Sequence, residues 1–148
     1  FPCSARLGID PKLIIKKMKQ NFGKFQLPNM LFLHGGGCLE NSSIASATLN
    51  EMVLQSYEGV IRVFPNWDSD IDCSFENLRA DGSFLVSASI RSGKIKAVKI
   101  ESEKGRKLRL ANPYSSAKIT MGNEKILCDD GIIELDIPQG TSLFIKEQ

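Results

Sequence analysis

This chain has a single histidine, His34, and a single tryptophan, Trp67. One histidine, with four cysteines as scattered as Cys3, Cys38, Cys73 and Cys128, leaves no CxxC pair and no Cys/His spacing suited to zinc. A disulfide framework is not expected either, because a core of this size needs no staples. No long apolar run is present, which excludes a membrane-spanning helix. The net charge of +2 is too small and too dispersed to call for nucleic acid. Lys16, Lys17 and Lys19 form the densest basic cluster and read as a solvated helix face. Gly35-Gly36-Gly37 lacks the spacing and the lysine of a phosphate loop. Asp68, Asp70 and Asp72 alternate like a calcium loop, but no glycine follows at the sixth position and no glutamate at the twelfth. They are taken as solvated loop acids, and no metal or cofactor is expected.

What is present is the composition of a globular protein: 42% hydrophobic and 24% charged residues, enough apolar content to exclude disorder as the main state. The first residues, Phe1-Pro2-Cys3, include no initiator methionine, charged n-region or apolar h-region, so a fragment or processed product is expected. Residues 1–59 read as helical. Asp10-Pro11 is a helix start, an N-cap followed by a proline whose missing N–H costs nothing there. Leu13, Ile14, Met18 and Phe22 fall near one face, and Gly23 is expected to end the helix. A loop over residues 24–40 leads to a second helix expected from about Ser43 to Tyr57. Two helices and a long loop cannot enclose a core by themselves. They either pack on the downstream sheet or belong to a larger helical body, and the second is favoured; it would leave Leu13, Ile14, Phe22, Met30 and Leu31 poorly covered and make self-association through the helices one outcome.

Residues 60–148 read as β-rich. Val60–Phe64, Ser83–Ile90 and Ile95–Ile100 alternate with period two, and Arg91-Ser92-Gly93-Lys94 is a hairpin turn between the last two. Further strands are expected near Lys107–Ala111, Ala117–Met121, Lys125–Cys128, Ile132–Ile137 and Ser142–Ile145, separated by glycine-containing turns. This spacing predicts an antiparallel sandwich with Phe84, Val86, Ala88, Ile95, Ala97 and Val98 in its core, the register near Val98 being open by one residue.

The most informative stretch runs from His34 through the three glycines to Glu40-Asn41-Ser42-Ser43, where a carboxylate precedes a helix in a favourable positive field. The order His34, glycine-rich loop, Glu40, small residues, Asn50-Glu51-Met52-Val53-Leu54-Gln55-Ser56 and Gly59-Val60-Ile61-Arg62-Val63-Phe64-Pro65 resembles the end of the catalytic barrel in glycoside hydrolase family 95. That family holds inverting α-L-fucosidases and α-L-galactosidases. The segment from Ser74 to Phe84, with Leu78-Arg79-Ala80-Asp81-Gly82-Ser83-Phe84, is similar to the first part of its C-terminal β domain, and the likeness covers roughly residues 34–100.

The resemblance implies the last helices of an (α/α)6 barrel over residues 1–59, then an antiparallel β-sandwich over residues 60–148. It implies a carbohydrate substrate, an oligosaccharide or polysaccharide side chain, and a secreted or periplasmic setting. Glu40 falls where the family has its general-base aspartate, and His34 matches a histidine six residues earlier. His34, Asn41 and Trp67 are the candidate substrate-binding residues. The loop departs from the family, with glycines where it has Pro-Pro-Phe and Ser42-Ser43-Ile44 where it has Asn-Phe-Gly. Inverting hydrolysis needs a second, protonated carboxyl roughly 6.5–9.5 Å from the base. It would be supplied by an upstream barrel, so this chain alone is expected to be inactive.

Each site residue has a plainer reading. Glu40 is also a loop carboxylate able to cap the next helix. His34 could simply donate to a backbone carbonyl. Asn41-Ser42-Ser43 matches a glycosylation acceptor but also suits a helix start. Trp67 could cover the junction between helices and sheet instead of a sugar ring. Two functions from other classes stand beside the hydrolase: a non-catalytic carbohydrate-binding β-sandwich with Trp67 and Tyr114 as stacking residues, and a purely structural domain.

Overall fold

The computed structural model describes residues 1–33, 40–114, 118–121, 124–127 and 131–147. The expectations placed on His34, Gly35, Gly36, Gly37, Cys38, Ala117 and Cys128 lie outside the described residues. The fold is mixed α+β, and it divides into two compact units, Phe1–Val53 with Pro65–Asp68 and Leu54–Phe64 with Ser69–Gln148.

The first unit contains α1 (Pro2–Arg6), α2 (Pro11–Phe25) and α3 (Glu40–Val53). Asp10 caps α2 as its sequence demands, its Oδ1 accepting the Lys12 N–H at 2.9 Å. Gly23 does not end the helix. The Gln26 N–H still donates to the Phe22 carbonyl at 2.9 Å, and the chain then doubles back, with the Leu33 N–H donating to the Phe25 carbonyl at 2.9 Å. This return buries Phe32 edge-on to Phe22, with ring centroids 4.9 Å apart. Burying such a ring outweighs the roughly 1 kcal/mol that a mid-helix glycine costs.

Ile14 and Met18, one turn apart on α2, are buried with Ala5 and Met52, and Ile15, Ala45 and Trp67 pack against them. Arg6 ties α1 to α3 through two hydrogen bonds to the Glu51 carboxylate, at 2.6 and 2.8 Å. Asn66 fastens the segment Pro65–Asp68, donating its N–H to the Met52 carbonyl at 3.3 Å and its Nδ2 to the Ile9 carbonyl at 2.9 Å. Of the five apolar side chains expected to be poorly covered, Leu13 and Met30 are exposed, Phe22 and Leu31 half-buried, and Ile14 buried.

α3 stops at Val53 rather than Tyr57. Leu54–Gln55 (β1) pairs antiparallel with Arg62–Val63 (β2), and a 3-10 turn at Tyr57–Gly59 connects them. Glu58 and Gly59 sit there at φ 57° and 68°, the conformation that reverses the chain. Both Leu54 and Gln55 are buried, so pairing rather than helical period decides their state.

The second unit is built on Cys73–Ala80 (β3), Phe84–Arg91 (β4), Lys94–Ser102 (β5), Lys107–Ala111 (β6), Lys118–Met121 (β7), Glu124–Leu127 (β8), Ile132–Asp136 (β9) and Ser142–Glu147 (β10). Six of these form an antiparallel sheet in the order β3-β4-β5-β10-β7-β8, and β6 pairs with β9 in a separate ribbon. Ser92 and Gly93, at φ 49° and 74°, make the two-residue hairpin between β4 and β5. On β4 the alternation holds strictly, with Phe84, Val86, Ala88 and Ile90 buried.

On β5 the alternation changes phase. Ile95 opposes Ile90, but Ala97 opposes Ser89 and Val98 opposes Ala88, because a bulge at Lys96 inserts one residue. Val98 and Ile100 are therefore fully buried, and Ala97 lies half-buried on the outer face instead of in the core. Leu108, Leu110, Ile133 and Ile145 are buried in this unit as well. Tyr114 closes it, donating its hydroxyl to the Ile145 carbonyl at 2.6 Å.

Candidate functional site

Glu40 lies in the first turn of α3, and its side chain is exposed. A carboxylate there is favoured by the positive end of the helix dipole and stays in contact with water. The other carboxylate of α3, Glu51, is held by the Arg6 guanidinium and cannot serve as a base without losing that pair. Ser42 anchors the same turn, its hydroxyl donating to the Met30 carbonyl at 3.0 Å. Asn41 follows Glu40 on this turn, but its side chain and the whole of His34 lie outside the description. The structure thus brings Glu40 and Asn41 to one helix turn and leaves the position of His34 unstated.

Trp67 is half-buried against the cluster of Ala5, Ile14, Met18 and Met52. Its ring packs on the core of the helical unit. Two further expectations are corrected. Asp68 is not a solvated acid: it is 7% exposed, with the Lys12 ammonium 3.8 Å away. Tyr114 is not a stacking platform, since it is buried and its hydroxyl is committed to Ile145. Asp72 also has a structural task, its Oδ1 accepting the Ser92 N–H of the β4–β5 turn at 2.8 Å.

The second unit carries two grooves that no sequence motif marks. One, of about 400 Å³, is lined by Ser56, Asp81, Arg106, Lys107 and Arg109 among others. Its cations are largely answered: Glu134 accepts from Arg109 at 2.8 Å and pairs with Lys107 at 2.6 Å. Those two cations hold the Glu134 carboxyl below the usual carboxylate range.

The other groove, of about 410 Å³, lies on the outer face of the six-stranded sheet. It is bounded by Asn77, Ser87, Ser89, Ala97, Lys99 and Phe144. The one signal available in the sequence was an aromatic residue in the water-facing phase of β10. Phe144 is 56% exposed, whereas its neighbour Ile145 is buried.

Among the described residues no cluster of three or more His, Cys, Asp or Glu side chains could hold a metal, and no helix is long and apolar enough to cross a membrane. No protein-family model and no curated protein matches the chain.

Proposed function

We propose that this chain is the C-terminal part of a carbohydrate-cleaving enzyme of the glycoside hydrolase family 95 type. In this reading the helices of the first unit end an (α/α)6 barrel and Glu40 is the general base of an inverting hydrolysis. The β unit is accessory. The observation that carries the reading is the state of the two α3 carboxylates. Glu51 is neutralised by Arg6, while Glu40 stands exposed to water at the head of the helix. A general base needs a water within hydrogen-bond reach and a carboxylate not already spent on an ion pair.

The barrel would supply the protonated carboxyl, so the reaction is divided between two parts of one protein. Complementation tests this. The chain alone should leave aryl α-L-fucoside and α-L-galactoside intact, and adding the helical barrel as a separate fragment should restore turnover. Turnover by the barrel fragment without this chain would sink the reading.

A second reading, a non-catalytic carbohydrate-binding β unit, is favoured by one specific observation, the exposed Phe144 ring beside the sheet groove.

A further inference from the structure

Folding of the second unit buries one set of side chains on β4, β5 and β10 and turns the other set outward. Across that outer face, strand pairing sets Ser74, Ser89 and Ala97 side by side in one row, and Ser87, Lys99 and Phe144 in the next. The middle of the face is made of the short side chains Ser87, Ser89 and Ala97. Taller ones, Asn77, Lys99 and Phe144, stand around them and border a shallow, open trough of about 410 Å³. That volume lies within the roughly 300–1,000 Å³ of small-molecule sites.

Two β-bulges flank the trough, one in β3 between Phe75 and Leu78 and one at Lys96 of β5. Bulges re-aim side chains and recur beside functional sites. The β3 bulge holds Asn77 at φ 53°, with its N–H donating to the Ser87 hydroxyl at 3.0 Å. Phe144 is the feature that packing does not explain: a ring 56% exposed on a strand whose next residue, Ile145, is fully buried.

We propose that this trough binds a neutral oligosaccharide, with one sugar ring stacked on Phe144 and hydroxyls read by Asn77, Ser87 and Ser89. The chemistry matches on both sides of a sugar. Its C–H face carries weakly positive hydrogens that suit the negative face of an aromatic ring. Its hydroxyls both donate and accept, as do serine hydroxyls and the asparagine amide. Nothing in the trough favours an anion, because the Lys99 ammonium lies 3.7 Å from the Glu101 carboxylate and the exposed Glu76 carboxylate stands in the lining. Phe144, half-buried Phe75 and Ala97 among serines and charged side chains are also too little apolar surface for the core of a protein interface.

This site rests on the second reading above and uses none of the residues proposed for catalysis. The full chain is screened by isothermal titration and amide NMR against a panel of neutral oligosaccharides of two to six units. At least one should bind, with shifts centred on Asn77, Ser87 and Phe144. Phe144→Ala and Ser89→Trp should each weaken it at least tenfold with an unchanged fold, Phe144→Tyr should retain it, and Glu40→Gln should have no effect. No binding by the wild type would overturn both the site and the second reading. Binding that ignores Phe144→Ala and Ser89→Trp would overturn the site alone, and loss through Glu40→Gln would place the sugar in the helical unit. A dimer that Phe144→Ala dissolves, without glycan binding, would make a second copy the occupant and overturn the proposal.

Discussion

At the scale of single residues, the side chains divide by what their neighbours already demand of them. Glu51, Asp68 and Tyr114 carry polar groups suited to a site, yet each is taken up by a partner within its own unit: Arg6, Lys12 and the Ile145 carbonyl. Glu40 and Phe144 are exposed; the positive end of α3 favours a carboxylate at the first, while packing gives the second no reason to be aromatic. The two free thiols among the described residues differ in the same way. Cys3 is exposed, whereas burial pushes the Cys73 thiol up, an effect that nearby Arg91 only partly offsets. Thiolate is the reactive form. Iodoacetamide at pH 8 should therefore label Cys3 several-fold faster than Cys73, read by peptide mass mapping. Equal rates would show that the half-buried β3 position does not protect its thiol. None of this was legible in the sequence, where Asp68 and Tyr114 look like loop residues. Their partners lie far along the chain and are brought near only by folding.

At the scale of elements, local chemistry was the better guide. The Asp10-Pro11 start, the Ser92-Gly93 turn and the alternation of β4 all follow from short-range rules. The errors arose where a partner segment overrides the local signal. Leu54–Gln55 leaves α3 to pair with Arg62–Val63, and β3 hides its alternation behind the bulge at Glu76–Asn77. The Lys96 bulge decides which of Ala97 and Val98 faces the core. Fully buried Ile100 should then cost about 2–5 kcal/mol when cut to alanine. Lys96→Ala, at the exposed bulge, should change stability by about 0.5 kcal/mol or less. Urea unfolding of the two variants checks this, and a costly Lys96→Ala beside a neutral Ile100→Ala would contradict the register.

At the scale of the whole molecule, the two compact units treat apolar surface differently. The helical unit leaves Leu7, Met30 and Leu33 exposed at 78%, 66% and 65%, beside the smaller exposures of Ile9 and Leu13. Among the described residues of the β unit, β4 and the second half of β5 instead bury one alternating set, while Phe144 on β10 is exposed. Exposed apolar side chains at and between the helices are what a barrel would cover, and an exposed first-turn carboxylate is what an inverting hydrolase would use. The measurement that tests this most directly is turnover of aryl α-L-fucoside and α-L-galactoside by the barrel-bearing protein with Glu40→Gln, paired with thermal unfolding. The account predicts a melting curve close to wild type and a rate at least about a hundredfold lower, the scale of a lost general base. Azide, which needs no deprotonation, should restore part of that rate. A variant that melts lower yet hydrolyses at the wild-type rate would make Glu40 a helix cap and contradict the catalytic claim.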